Sequence, residues 1–548
     1  MDFKSALKDT LSKEYKHCKG SSDEATQEKL NELSELVIKK ASFEQLKEIS
    51  NELFDSPPLA LIGFDVDRIK DYVFASSRPK EIRGASAIIE GFTDKELKEW
   101  LKEFVEENHI IFAGGGAGLI LAPVHLAGKI REKIETEFRR LTITASCTVE
   151  YETFFPFEFI YGKGSEKIRF NPSEEKITSY LDGEYLSLVN KQEPIPFGKL
   201  AELLGAKIRG TKNSKLREEF YPLSGILRRC TSCGIRPASQ VDEKDPHYRE
   251  DEPWRTAICA PCAKKREIGK TGAKSFEEFG RFISVFYMDV NKMGAVRESL
   301  RTPEDYHVFS KIVQQTFEEA VTKVSQKLPQ EKYLKLVMGG DDLILILPAE
   351  GRISIINDVI KSVEDKFEKF KKLTLAVGFV IAPCHFPIRF LINYAFEVMK
   401  EAKKISYRTE QSAINFLVLK DSSPLNISID EYLKAYYYDS KTFFYKTLRP
   451  YILNDFRKDI LRFLGKFKDM PNAQLNLIRD LIVNETPQVA RLNIRYQMAR
   501  MSEKWQGVFK ETPFEHSFTS WADFFIKEEN GTYKSGYIDL LELLEFWG

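Results

Sequence analysis

VMGGDDLILILP, residues 337–348, decides how the rest of the chain is read. Apolar, strand-like runs lie on either side (YLKLVM, 333–338; LILILP, 343–348), which places Gly339-Gly340-Asp341-Asp342 at a hairpin tip. Two glycines permit a tight turn and a close approach by a bulky ligand. Two adjacent carboxylates at a strand end converge with Asp289, which ends a neighbouring strand. Acids crowded in this way repel one another unless a divalent cation neutralises them. Their oxygens suit Mg²⁺ or Mn²⁺, ions that keep waters and take remaining contacts from phosphates. Gly and Asp also make ordinary polar turns, so the reading as a site rests on context.

That context is a duplication. Around the hairpin the order is strand (FISVFYMD, 282–289), helix, strand, strand, helix (353–370) and strand (LTLAVGFVIA, 373–382). Thr302-Pro303-Glu304-Asp305 predicts the start of the first helix: a capping hydroxyl, proline at the first helical position, then acids at the positive end. The same βαββαβ order occurs earlier, as LALIGFD (59–65), a helix over about 94–105, HIIFA (109–113), LILAP (119–123), a helix (126–141) and TITASCTVEY (142–151). Asp65 to Gly116 spans 51 residues and Asp289 to Asp341 spans 52. The expected fold is α+β, each unit an antiparallel sheet backed by helices on one face. In the first unit the tip reads GGGAG, without a carboxylate, so it cannot hold a metal in the same way. Asp65 and Asp67 remain there as isolated acids with a structural or hydrogen-bonding role.

Five segments follow: a helical lead over 1–56, the first unit over 57–154, a punctuated stretch over 155–280, the second unit over 281–420, and helices over 421–548. The 548 residues carry 82 Lys plus Arg and 82 Asp plus Glu, and a net charge of zero gives no reason to expect free-standing nucleic-acid or membrane binding. No secretory leader opens the chain, and the longest uncharged apolar run (110–124) is broken by glycines and a proline. The reading is a cytoplasmic, soluble protein without a membrane partner.

Seven cysteines are too few for a disulfide framework in a chain of this length. Cys230, Cys233, Cys259 and Cys262 form two CxxC pairs with 25 residues between them, the pattern of a four-thiolate Zn²⁺ site. Four protein ligands leave no open position, so such a site is structural. Basic residues flank it (Lys207, Arg209, Lys212, Lys215, Arg217, Arg228, Arg229, Lys264, Lys265, Arg266 and Lys270), either as an RNA-facing patch or, the better reading, as solvated surface. Gly269-Lys270-Thr271 ends like a phosphate-binding loop, but Lys264 stands where the loop needs glycine. None of the seven histidines is followed by aspartate, which argues against a His-Asp metal phosphohydrolase. YYYDSKTFFYK (436–446) mixes aromatics with lysines, and its helical spacing suggests core or interface rather than a base-stacking surface. Lys403, at the end of the helix after the fourth strand, serves equally as a point charge for a triphosphate or as a solvated helix-end cation.

Taken in order, FDVDRIKDYVFASSRPKEIRGAS (64–86), CTSCGIRPA (230–238) with CAPC (259–262), YMDVNKMG (287–294) and VMGGDDLILILP resemble the large subunit of type III CRISPR effector complexes, the Cas10 or CRISPR polymerase family. The IRGAS segment is most similar to its Cmr-type branch. The resemblance implies two ferredoxin-like palm domains, the first degenerate and the second bearing GGDD, with a zinc-binding domain between them and helical termini. It implies a palm that joins ATP into cyclic oligoadenylate, a second messenger, when the complex binds target RNA. Asp289, Asp341 and Asp342 would hold Mg²⁺ or Mn²⁺, Gly339 and Gly340 would line the ATP phosphates, and Lys403 would contact a triphosphate. Ser86 would lie near a second nucleotide across the palm–palm interface. The implied partners are other type III subunits, guide RNA and target RNA.

Two departures qualify the resemblance. Only some 55 helical residues precede the first unit, so the family's HD nuclease domain is not expected. The usual second acid of the catalytic strand is Asn291. Related chains that resemble enzymes coupling ATP to S-adenosylmethionine make that an alternative activity. A catalytically silent scaffold subunit is a second alternative. A free-standing diguanylate-type cyclase explains neither the duplication nor the cysteine insertion.

Overall fold

The computed structural model describes residues 2–161, 196–215, 228–270, 273, 275–340, 342–367, 370, 373–420, 428–510, 526–527 and 532–547. The chain divides into two units, residues 1–270 with 293–315 and residues 271–292 with 316–548. Among the described residues no helix is long and apolar enough to cross a membrane.

The first unit opens with α1 (Phe3–Lys19), α2 (Glu24–Ile38) and α3 (Phe43–Leu53). Asp2 and Asp23 cap the first two, each accepting from a backbone N–H three residues on, at 3.0 and 2.9 Å. Their apolar stripes (Leu7, Leu11, Leu30, Leu33, Phe43, Leu46) share one core with Leu59, Leu61, Phe154 and Phe197 of the sheet region. The helical lead is thus part of the first unit's core.

That sheet is built from β1 (Leu59–Val66), β2 (Ile110–Gly114), β3 (Ala117–Pro123) and β4 (Cys147–Phe154), in the order β2-β3-β1-β4 with every neighbour antiparallel. Helix α4 (Pro79–Gly91) starts well before the stretch expected from sequence, with Pro79 in its first turn. α5 (Val124–Thr142) carries Phe138, which meets Phe92, and Phe92 meets Phe64 of β1. The opposite face of β1 is covered by α6 (Phe197–Ser214), whose Leu204 and Ile208 fill the space above Gly63. Helices therefore lie on both faces, not on one as the sequence suggested. The reason is that α6 comes from beyond the repeat and packs back onto it. α7 (Ala260–Ile268) crosses α4 closely: a Cβ on Gly84 would lie 1.8 Å from the Lys265 carbonyl oxygen. Thr302 caps α8 (Pro303–Ser325) as expected, its Oγ1 accepting from Asp305 N at 3.0 Å.

The second unit repeats the order. β5 (Phe282–Asn291), β6 (Leu334–Gly339), β7 (Asp342–Pro348) and β8 (Thr374–Pro383) lie as β8-β5-β7-β6, all antiparallel. α9 (Ile353–Phe367) joins β7 to β8, and α10 (Ile388–Thr409) leads on to β9 (Ala413–Val418), which runs parallel to β8 and widens the sheet. β10 (Tyr451–Ile452) ends it. All ten positions of β5 are buried, so both faces of this sheet are covered too. α10 lies close on one of them, because Gly378 offers no side chain; a Cβ there would sit 2.5 Å from Met399 N.

After residue 428 the chain is mainly helical, but it includes a small four-stranded sheet that the sequence reading lacked. α11 (Ile429–Tyr437) stops inside YYYDSKTFFYK, and Tyr438–Asp439 pairs with Phe444–Tyr445. Asp439 breaks the helix by accepting from Lys441 N (2.9 Å) and Thr442 Oγ1 (2.7 Å). Helix α12 (Tyr537–Leu544) is tied down by buried Arg449, whose guanidinium meets Asp539 at 3.0 Å.

Candidate functional site

Strand alternation sends Tyr287, Asp289 and Asn291 to one face of β5, and α10 lies over that face. Tyr287 packs its ring on Phe396 of α10 and donates its hydroxyl to Asp342 Oδ2 at 2.9 Å. Burial first, then the neighbouring carboxylate, push the Tyr287 phenol well above its ordinary range, so it remains a donor. Asp342 is the direct cross-strand partner of Asp289. Only 5% of Asp289 is exposed, and its carboxylate receives the Lys403 ammonium from α10, 2.8 Å from Oδ1 and in contact with Oδ2. Burial works against the charge on Lys403, but the hydrogen bond and charge of Asp289 outweigh it and raise its pKa. Lys403, expected at a helix end, lies instead within α10, which runs on to Thr409, and is an ion-pair partner of the strand acid.

Asn291, 1% exposed, belongs to a different contact set. Its amide donates to Ser406 Oγ (2.9 Å) and to Thr374 Oγ1 (3.1 Å), and those hydroxyls lie 2.9 Å apart. It therefore fastens β5 to β8 and to α10. Among the described residues Asn291 Oδ1 has no partner, and the Asn291 amide is held by hydroxyls rather than by carboxylates.

At the tip, Gly339 pairs with Asp342 and Gly340 takes φ +68°, a conformation that favours glycine. A Cβ at Gly340 would meet nothing within 4 Å, so there is open space at that glycine. Asp341 lies outside the described residues. Ser86 belongs to the first unit, on the largely buried side of α4. Tyr287, Thr374 and Ser406 were not singled out from sequence. Only the alternation Tyr287, Asp289, Asn291 hinted that the tyrosine shares the acids' face.

The carboxylate pair suits a hard divalent cation: two oxygen-bearing groups stand side by side, next to a glycine tip with room for a ligand. The cysteines make a separate centre. Cys230, Cys233, Cys259 and Cys262 are all buried and their Sγ atoms lie within 4.8 Å of one another, the one such group among the described residues. Cys233 and Cys259 are 3.9 Å apart at sulfur, close to the roughly 3.8 Å edge of a tetrahedron with Zn–S bonds of about 2.3 Å. The cluster fits zinc.

Several of the flanking basic residues are engaged internally. Arg266 joins buried Glu81 to Asp242 and Asp245, and Lys265 is buried with its ammonium over the Tyr72 ring. Lys207 pairs with Glu152, and Arg209 with Glu202. Lys212 and Lys215, both in or just after α6, reach Asp65 and Asp67. The two acids thought isolated are thus paired. Arg217 lies outside the described residues.

Comparison with known proteins agrees with this arrangement. Residues 282–411 match the family described as Cas10/Cmr2, second palm domain. Csm1 of T.onnurineus has the same fold at 16% identity, with a TM-score of 0.53 over 90% of this chain and 70% of that one. A Csm1–Csm4 cassette in complex with pppApA superposes at 15% identity and TM-score 0.50 over 95% and 73%. One in complex with cA4 gives 17% and 0.50 over 94% and 74%. No curated protein matches. Residues 282–411 thus match a Cas10/Cmr2 second palm domain, and the chain shares its fold with Csm1.

Proposed function

We propose that the second unit's palm is a nucleotidyl transferase that makes cyclic oligoadenylate from ATP within a type III CRISPR effector complex. The observation that carries this reading is the pair of facing carboxylates, Asp289 and Asp342, inside a Cas10/Cmr2 palm domain. The 3′-hydroxyl of one ATP attacks the α-phosphate of another and pyrophosphate leaves. Bound Mg²⁺ or Mn²⁺ supplies charge neutralisation at the phosphoryl oxygens and acidifies the attacking hydroxyl.

The chain's own residues do the rest. Asp289, Asp342 and, from the sequence, Asp341 hold the metal. Tyr287 orients Asp342 through its hydroxyl. Gly340 leaves room for phosphates at the tip, Gly339 is given the same role from the sequence, and Lys403 offers a cation for the triphosphate. Asn291 positions the strand. We assign the first unit's sheet to a degenerate palm and Ser86 to nucleotide binding, and the cysteine cluster to structural zinc. Other complex subunits, guide RNA and target RNA are the partners of this reading.

The test is the assembled complex with target RNA, α-labelled ATP and Mn²⁺, with and without S-adenosylmethionine, products being resolved by mass. Cyclic adenylates lost in Asp342→Ala support the proposal. An S-adenosylmethionine-dependent adduct moves the activity to that acceptor. No product and no ATP binding leave a scaffold subunit.

A further inference from the structure

The two sheets carry the same acid–lysine contact at the same register. Asp65 faces Ala117 across β1 and β3, as Asp289 faces Asp342 across β5 and β7. Each acid receives an ammonium from a helix beyond the fourth strand: Lys212 of α6 on Asp65, Lys403 of α10 on Asp289. The contacts differ in what else holds the lysine. Lys212 also donates to the Val66 carbonyl at 2.8 Å, and Lys215 beside it donates to the Cys147 carbonyl at 3.2 Å and to Asp67 at 3.3 Å. Backbone oxygens anchor those ammonium groups. Lys403 has no such anchor; among the described residues its ammonium donates to Asp289 alone, and its side chain is one-third exposed.

We propose that Lys403 is an exchangeable internal counter-ion: it neutralises Asp289 in the metal-free protein, a divalent cation displaces it, and it then becomes available to the nucleotide's phosphates. The inference rests on the reading of Asp289 and Asp342 as metal ligands. A nearly buried carboxylate needs a cation whether or not metal is present. A divalent ion on the same oxygens repels the ammonium, and a long flexible stem with nothing else to hold it lets the ammonium leave with its proton. No covalent bond changes. The arrangement imposes an order, with metal first and polyphosphate second. In the first sheet the anchored lysines make the substitution permanent, so that site stays closed to metal.

The measurement is Mn²⁺ affinity of the full-length protein by electron paramagnetic resonance, for the site whose signal is lost in Asp289→Asn. Lys403→Met and Lys403→Gln are expected to bind Mn²⁺ alone about tenfold more tightly than wild type, since the ion no longer competes with a charge-assisted hydrogen bond. Lys403→Arg, which keeps the charge, shows no such gain. With Mn²⁺ present, α,β-methylene-ATP binds Lys403→Met more weakly than wild type. Circular dichroism checks that each variant is folded. Unchanged or weaker Mn²⁺ binding in folded Lys403→Met and Lys403→Gln overturns the proposal, as does absence of any Mn²⁺ site at Asp289. The transferase reading fails separately: an assembled complex that makes no adenylate, while Lys403→Met still gains Mn²⁺ affinity, removes that reading and leaves the exchange standing.

Discussion

Asp289 and Asp342 stand directly opposite one another on antiparallel strands, and each is held by a different donor, Lys403 for the first and Tyr287 for the second. Replacing one leaves the other with its own partner, so the fold survives while the metal loses a ligand. Asp342→Ala is therefore expected to lower adenylate synthesis in the assembled complex by about a hundredfold or more, with little change in melting temperature. Activity close to wild type would show that the carboxylate pair is not the reactive centre.

Gly378 tests how tightly α10 must seat for the site to form. A Cβ there would lie 2.5 Å from Met399 N and 2.6 Å from the Ala395 carbonyl oxygen, both backbone atoms that cannot turn aside. Gly378→Ala should lift the helix that carries Lys403 and Ser406, at a cost of roughly 2 kcal/mol or more. Chemical denaturation measures the loss, and Mn²⁺ affinity at Asp289 should change with it. A variant as stable as wild type would mean that the sheet yields without strain.

One zinc per chain is the expectation for the four cysteines, measured by elemental analysis of the purified protein. Cys259→Ser or prolonged chelation should release it. Because apparent zinc binding in such sites is worth on the order of 10 kcal/mol, loss of metal should unfold the surrounding segment. The readout is rapid amide exchange in α7, next to the cluster. Full protection after complete metal removal would contradict a structural role.

Asp67 gives a pH dependence with a definite sign. Burial opposes its charge, yet hydrogen bonds from Ser146 and Thr148 and the charges of Lys215 and Lys212 outweigh that and hold its pKa below the ordinary 3.8. A folded-state value below the unfolded one stabilises the protein above about pH 4, and that contribution disappears as pH falls through the folded value. Asp67→Asn should thus be less stable than wild type by about 1.5 kcal/mol at neutral pH, with the gap closing below pH 4. A gap independent of pH would show that ionisation is not its source.

Much of this was legible along the chain. The short apolar runs, the glycine tip and the CxxC pairs each depend on residues near one another in sequence, which is why strands β5 to β8, the hairpin and the candidate zinc ligands could be read directly. The small sheet after residue 428 was missed because its strands are two residues long, too short for any period to register. The helical spacing of 436–446 misled for a related reason: Asp439 bonds its own following backbone and ends the helix at once.

By itself, then, the sequence determined the two βαββαβ repeats, the position of the acids at strand ends and the fourfold sulfur set, since local periodicity and spacing carry that information. Only the tertiary structure decided the partners. Tyr287 reaching Asp342, Lys403 reaching Asp289, Asn291 turning to Ser406, and Lys212 closing on Asp65 all join residues far apart in the chain. Such contacts depend on strand register and on the seating of a helix across a sheet. Both are set by packing between distant segments, which no local pattern encodes.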